Sequence, residues 1–240
     1  MNDSLQPAIA LGIVAHPDDL DFGASGTFAK WIAQGTEAYY LILTDGSKGS
    51  TDYEVSPEEL TQTRRAEQVA AGKVLGLKDV FFLDYPDGGL EVTMELKREI
   101  VRYIRRIRPD VVVTMDPSVL YDVETGFVNH PDHRAAGQAT LDAVFPLARD
   151  HLSFPELYTD EHLEPHKVKQ ALLINMTTGN YWTDLSSWRS KKLDVLRAHA
   201  SQVPADDAAL TELVERIGGR AAAGQPYDLA EQFVRLDLMP

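Results

Sequence analysis

Seven consecutive apolar or small residues, Ile9-Ala10-Leu11-Gly12-Ile13-Val14-Ala15, stop at the polar tetrapeptide His16-Pro17-Asp18-Asp19, and Gly23-Ala24-Ser25-Gly26 then opens a helical stretch. A short strand without polar alternation is the kind buried on both faces, in the interior of a parallel sheet. In open α/β sheets ligands collect outside the carboxyl ends of such strands, so the tetrapeptide stands where sites are built. Pro17 biases His16 toward extended backbone and delivers the imidazole at the strand end. Asp19 lies three positions on and can converge on the same ion. An imidazole and a carboxylate suit zinc, and they leave Asp18 between them.

A solvated turn would contain the same residue types, so a single cluster decides little. A second one changes the balance. Val111-Val112-Val113-Thr114-Met115 reads as another buried strand, and after a loop comes His130-Pro131-Asp132-His133, running into a helix at Arg134-Ala135-Ala136. Pro131 suits the first turn of that helix. If both strands belong to one parallel sheet, both His/Asp tips lie on the same edge. Three ligands with an open position are the pattern of a catalytic rather than a structural zinc. Residue type alone does not separate His130 from His133 as the ligand.

The remaining chain alternates strands and helices. The readings are a helix from Gly26 to Ala33, a strand from Ala38 to Leu43, a helix from Ser56-Pro57 to Leu75, a strand from Val80 to Leu83 and a helix from Met94 to Ile107. Beyond residue 149 the expectations are a strand over Lys169 to Asn175, helices over Trp188 to Ala200 and Ala208 to Ile217, and a third helix over Tyr227 to Leu236, with Gly218 to Gly224 flexible. The fold class expected is α/β, a Rossmann-like three-layer structure with a mostly parallel sheet and a variable C-terminal cap. With 240 residues the chain reads as one domain, core 8–150 and variable part 151–240.

Composition excludes several functions. A net charge of -14 argues against nucleic acid or an anionic membrane as partner, and the bases on the Met94–Ile107 helix (Lys97, Arg98, Arg102, Arg105, Arg106) with Arg108 just beyond read as a solvated face paired with acids. No cysteine is present, so any metal must rest on His and Asp/Glu. No Gly-x-Gly-x-x-Gly follows the first strand, which disfavours a dinucleotide. No apolar run is long enough to span a bilayer and the N-terminus lacks a signal-like pattern, so a cytoplasmic location is expected. Self-association is left open.

Ala15-His16-Pro17-Asp18-Asp19, Thr44-Asp45-Gly46, Arg64-x-x-Glu67, Leu83-Asp84-Tyr85-Pro86-Asp87-Gly88 and His130-Pro131-Asp132-His133-Arg134 stand in an order that resembles the PIG-L/LmbE-like N-deacetylases; Ala198-His199-Ala200-Ser201-Gln202 is similar to a tail motif of that family. The resemblance implies a zinc-dependent amide hydrolase acting on an N-acylated amino sugar or its conjugate; a ligand set of this kind would also accept ferrous iron. It implies His16, Asp19 and His133 as metal ligands and Asp18 as general base. It makes His130 an imidazolium facing the oxyanion, with Asp132 on its other ring nitrogen. Arg64 and Asp87 are implied near the substrate. Asp45, in the loop that ends the second strand, is a further candidate for lining the pocket. Arg64 and Glu67 share a helix face, where an exposed ion pair is the plain expectation. Some relatives place a tyrosine just before the second histidine motif; Val128-Asn129 stand there in this chain. The rival readings are an amidase for a larger amino-sugar conjugate and a non-catalytic, metal-containing binding module.

Overall fold

The computed structural model describes residues 5–123, 126–175 and 177–239. Its strands are β1 (Ile9–Val14), β2 (Glu37–Thr44), β3 (Asp79–Tyr85), β4 (Val111–Met115), β5 (Tyr121–Asp122), β6 (Phe127–Val128), β7 (Gln170–Ile174), β8 (Tyr181–Asp184) and β9 (Ala230–Asp237). The helices are α1 (Asp19–Ala33), α2 (Pro57–Leu75), α3 (Met94–Ile107), α4 (Pro131–Asp142), α5 (Pro155–Thr159), α6 (Arg189–Leu196) and α7 (Asp207–Ala221). The main sheet runs in the order β3-β2-β1-β4-β7-β9-β8. Its first five strands are parallel, and β9 is antiparallel to both neighbours.

The alternation of side chains sorts the core into two layers. Ala10, Val14, Tyr40, Ile42, Val111 and Val113 pack with α1 and α2 on one face, whereas Leu11, Ile13, Leu41, Leu43 and Val112 pack with α3 and α4 on the other. Both faces are therefore buried, as the apolar runs require. Strand order reverses between β1 and β4, and the loops that leave those two strands carry the two His/Asp motifs. That crevice is the topological switch point of an open α/β sheet. Helix α4 is drawn close to the end of β4 by Gly137, where a Cβ would strike the Met115 carbonyl.

Local signals account for several boundaries. Ser56 and Glu59 form a reciprocal capping box with Pro57 in the first turn of α2, and Gly76 ends it at φ 97°. Thr93 caps α3. Helix α1 starts at Asp19, seven residues earlier than the glycine pair suggested, because Asp18 turns the chain at φ 87°.

Four expectations need correction. Residues 227–236 are not a helix: Ala230–Asp237 is a strand inserted between β7 and β8. Leu229, Phe233 and Leu236 happen to fall at helical spacing, but Phe233 is a buried strand residue paired with Ile174 on one side and Tyr181 on the other. Gly218 and Gly219 belong to α7 and not to a flexible link. Tyr181–Asp184 is a strand the pattern did not reveal, so the C-terminal part covers the sheet with α6 and α7 and also extends it. Finally, Arg105 leaves the solvated face of α3: it is buried and donates to the carbonyls of Leu147, Ala148, Asp150 and Ser153, tying down the loop after α4. The neighbouring Lys97 and Arg102 do pair with acids, Asp142 and Glu99 with Glu161.

Candidate metal centre

His16 leaves the end of β1 and Asp19 opens α1, so the backbone turn between them folds the Asp19 carboxylate back to accept from the His16 amide at 2.9 Å. His133, in the first turn of α4, meets them from the β4 side. Its Nε2 lies 3.1 Å from Asp19 Oδ1 and 3.3 Å from His16 Nδ1, and His16 Nδ1 lies 3.5 Å from Asp19 Oδ2. Bonds of about 2.0–2.1 Å disposed tetrahedrally around one ion separate neighbouring donors by roughly 3.3 Å, so these spacings suit a zinc-sized ion. Donor atoms of His16, His130 and His133 also gather within 4.8 Å of one another, as do those of His16, Asp87 and Asp132. The two groups share His16, whose Nδ1 faces His133 and whose Nε2 faces the two acids.

The nitrogen of His16 remote from His133 faces two acids. His16 Nε2 lies 3.2 Å from Asp87 Oδ1 and 3.4 Å from Asp132 Oδ2, yet neither oxygen is aligned for a hydrogen bond. His133 Nδ1 is buried without a hydrogen-bond partner. At the donor set two imidazole nitrogens, His16 Nδ1 and His133 Nε2, face each other at 3.3 Å beside the Asp19 carboxylate, an arrangement a shared cation would complete. Charge tells the same story. Burial alone would lower the His16 pKa, but the close carboxylates of Asp19 and Asp87 push it up to about 10. His133 is likewise raised, Asp19 outweighing burial. Burial would raise Asp19, but His133 and His16 hold it well below the usual carboxylate range. A cluster this rich in carboxylates draws positive charge, which a divalent cation supplies while leaving both imidazoles neutral. The donor set therefore fits a divalent ion.

Asp18 is held beside this cluster and not within it. Its left-handed backbone turns the side chain toward α2, where Gln68 Oε1 accepts from the Asp18 amide at 2.9 Å and Arg64 Nη2 donates to Asp18 Oδ2 at 3.3 Å. Burial and the neighbouring Asp19 charge raise the Asp18 carboxyl to about 7, with Arg64, His199 and His16 opposing. Arg64 is itself buried, and it donates to the Pro17, Gly46 and Lys48 carbonyls, so one guanidinium staples the β1 and β2 loops together. It makes no pair with Glu67, contrary to the simple helix-face expectation. Glu67 instead accepts from the Ser201 amide and hydroxyl, locking the tail motif to α2.

Asp87 is 5% exposed and packs on His16, with Oδ2 accepting from the Lys48 amide at 3.1 Å. Burial would raise its pKa, and His16 brings it below the ordinary value. Asp45 spends Oδ1 on the amides of Ser47 and Asp87 and so shapes the loop around Asp87.

His130 departs from the imidazolium expectation. It is the N-cap of α4, and its Nδ1 accepts from the Asp132 amide at 3.2 Å. A nitrogen that accepts there carries no proton, and a helix N-terminus disfavours a cation. Burial and the charges of His16 and His133 also lower the His130 pKa. The Asp132 carboxylate does not brace His130. It accepts from the amides of Gly88 at 2.7 Å and Leu90 at 3.2 Å and faces His16.

Residue-by-residue reading missed a further layer. Asp21 Oδ2 accepts from Gln68 Nε2 at 2.8 Å and lies 2.7 Å from His199 Nε2, with Asp21 and His199 fully buried. Gln68 thus links His199 and Asp21 to the Asp18 backbone. Only the resemblance of the His199 segment hinted at this contact, since the partners are 178 residues apart.

An open, mostly parallel sheet carrying a histidine-carboxylate cluster at its switch point, in place of a nucleotide-binding glycine loop, defines the LmbE-like class of α/β proteins. The family model described as PIG-L, GlcNAc-PI de-N-acetylase, matches residues 11–144, and the chain belongs to this family. Diacetylchitobiose deacetylase of Thermococcus kodakarensis is 37% identical over 196 residues, covering 82% of this chain and 70% of the relative. Mycothiol S-conjugate amidase of Streptomyces coelicolor is 30% identical over 192 residues, covering 70% and 61%. The solved N,N'-diacetylchitobiose deacetylase of Pyrococcus horikoshii superposes with a TM-score of 0.86 at 28% identity, covering 96% of this chain and 84% of that one. Among the described residues no helix is long and apolar enough to cross a membrane.

Proposed function

We propose that this chain is a metal-dependent amide hydrolase that removes an N-acyl group, acetyl in the simplest case, from an amino sugar. The observation that carries the reading is the spacing of His16 Nδ1, Asp19 and His133 Nε2, at 3.1–3.5 Å from one another, with Asp18 tied beside them by Gln68 and Arg64. His16, Asp19 and His133 would hold zinc or ferrous iron. When bound, such an ion supplies Lewis acidity to the amide carbonyl and to the attacking water. Asp18 takes the water's proton and returns it to the departing amine. His130 donates from Nε2 to the oxyanion as a neutral imidazole. The Asp87 and Asp132 carboxylates face the second nitrogen of His16, at 3.2 and 3.4 Å, on the side where partners of a ligating histidine stand. Arg64 fixes Asp18, and the wall formed by Arg64, Asp87 and the Asp45 loop is assigned to the sugar.

The similarity to the Streptomyces amidase favours one second reading, cleavage of a larger amino-sugar conjugate by the same chemistry. A binding module would have no use for Asp18 and His130 around the donor set. The whole chain serves as one enzyme in this reading, residues 151–240 included. The test is zinc-loaded protein incubated with N-acetylglucosamine, diacetylchitobiose and a thiol-conjugated amino-sugar amide, scored for released amine. Amine release that a chelator abolishes is expected. No release from any of them, with zinc bound, contradicts the reading.

A further inference from the structure

A cavity of about 500 Å³ opens directly off the candidate metal centre. It shares Asp19 and His133 with the donor cluster, while Asp18, Arg64 and Asp87 take no part in its lining. It therefore lies on the side of the centre opposite the polar wall. Phe22, Met115, Ile174, Leu185, Val214 and Ile217 line it, drawn from α1, β4, β7, the segment after β8, and α7. The volume falls within the about 300–1,000 Å³ of pockets that enclose whole small molecules, and the methyl of an acetyl group would leave most of it empty.

Arg216, Asn175 and Gln232 also contribute to the lining, but Lys192 and Glu231, the two buried charges in the wall, are already satisfied. Lys192 Nζ donates to Glu231 and to the Asp21 and Phe22 carbonyls, which uses all three of its protons. Glu231 accepts from the Gly26 and Thr27 amides, the Thr27 hydroxyl and Lys192, which fills both oxygens. What these side chains present to the cavity is methylene. At its edge Arg220 of α7 reaches Asp122 of the β5–β6 hairpin at 3.2 Å, and Phe127 of the same hairpin lines the opening.

We propose that this cavity receives the alkyl chain of an N-acyl group several carbons longer than acetyl. The inference rests on the amide-hydrolase reading above. In that reaction the water oxygen bonds to the acyl carbon, the C–N bond breaks, and the amine leaves with the proton that Asp18 took from the water. The amine departs on the Asp18 side, so the remaining substituent of the acyl carbon points away from Asp18, toward the cavity. The product released there is a medium-chain fatty acid. An amphiphilic N-acyl amino sugar fits both walls, polar on one side and apolar on the other.

The experiment compares N-acetyl, N-butanoyl, N-hexanoyl and N-octanoyl glucosamine on zinc-loaded protein, with hexyl N-acetylglucosaminide as a control for an alkyl group on the other end. Burial of each methylene is worth about fourfold, so kcat/KM should rise about 250-fold over the four methylenes from acetyl to hexanoyl. Ile217→Trp fills the cavity from a half-buried position and should reduce the hexanoyl-to-acetyl ratio at least tenfold; Ile217→Asp, which charges the same wall, should do likewise. Octanoate binding by calorimetry, measured with metal-free protein, should be lost in both variants. If N-acetyl is cleaved and longer chains are not preferred, the inference is overturned and the hydrolase reading stands. A gain from the hexyl glycoside and none from the acyl series overturns the assignment to the acyl chain. If nothing is cleaved the hydrolase reading fails; octanoate binding that Ile217→Trp abolishes then still supports a chain site, and its absence overturns that too.

Discussion

Helix α1 borders two buried charged clusters that differ in how they are satisfied. On one side Lys192 and Glu231 exhaust their hydrogen-bonding capacity on each other and on α1 itself. On the other, three residues of the donor cluster approach within 3.5 Å while His16 Nε2 and His133 Nδ1 stay unmatched. Burying a charge is tolerable only when it is paired, and the first cluster meets that condition with protein groups alone. The second instead sets two imidazole nitrogens 3.3 Å apart beside one carboxylate, the arrangement a shared cation would complete. The comparison separates a charged pair that holds α1, α6 and β9 together from a set of donors suited to a cation, although Asp19 of the donor set and the α1 backbone groups that bind the pair are only a few residues apart.

The difference can be broken from either side. The largest expected effect is Asp18→Asn, which should lower the hydrolytic rate by about 10²–10⁴ while the fold and ligand set stay intact; thermal melting beside steady-state kinetics checks both halves. Next comes the saturated cluster. Lys192→Ala leaves Glu231 charged and buried without its partner and should cost about 3–5 kcal/mol in denaturant unfolding. The double change Lys192→Met with Glu231→Leu should recover much of that loss, because apolar groups of similar size replace both charges. Recovery of nothing would mean that the pair does more than fill and neutralise its site.

A smaller effect concerns His130. His130→Ala removes one oxyanion donor and should cost about a hundredfold in kcat with metal content unchanged. With Nδ1 accepting from the Asp132 amide, His130 is proposed to be neutral, and wild type should show no loss of rate attributable to its deprotonation at high pH. A basic limb that vanishes in His130→Ala would restore the imidazolium.

The smallest effect is a pH dependence of stability carried by His199. Burial would lower its pKa, but the hydrogen bond to Asp21 and the charges of Asp21, Asp18 and Glu67 raise it. A group raised on folding contributes stability that is complete below its unfolded pKa, about 6.5, and is lost as pH climbs through the folded value. The gap in melting temperature between wild type and His199→Gln should therefore narrow as pH is raised above about 6.5. His16 is raised too, so the comparison between the two proteins at matched metal content isolates His199.

What could be read in advance follows the same division. The candidate centre was legible because a buried strand, a proline and a helix start fix where His16, Asp19 and His133 must point, and two such junctions in one parallel sheet share an edge. Local adjacency misled at Asp132. Its carboxylate is one residue from Pro131 and two from His130, yet the first turn of α4 sends it to Gly88 and Leu90 and offers its amide to His130 instead. Arg64 and Glu67 misled in the same way, sharing a helix face in sequence and serving different loops in space. The saturated cluster had no local signature at all. Lys192 reads as one base in a short polar helix, and Glu231 lies in a segment whose apolar residues fall at helical spacing; their contacts to α1 span 170–171 and 204–205 residues.

The central claim is that His16, Asp19 and His133 hold a divalent ion and Asp18 does not. Metal analysis of Asp18→Asn beside Asp19→Ala, each purified from zinc-supplemented culture, tests it directly. The account predicts close to one ion per chain in Asp18→Asn and almost none in Asp19→Ala. An ion retained in Asp19→Ala and lost in Asp18→Asn would contradict it.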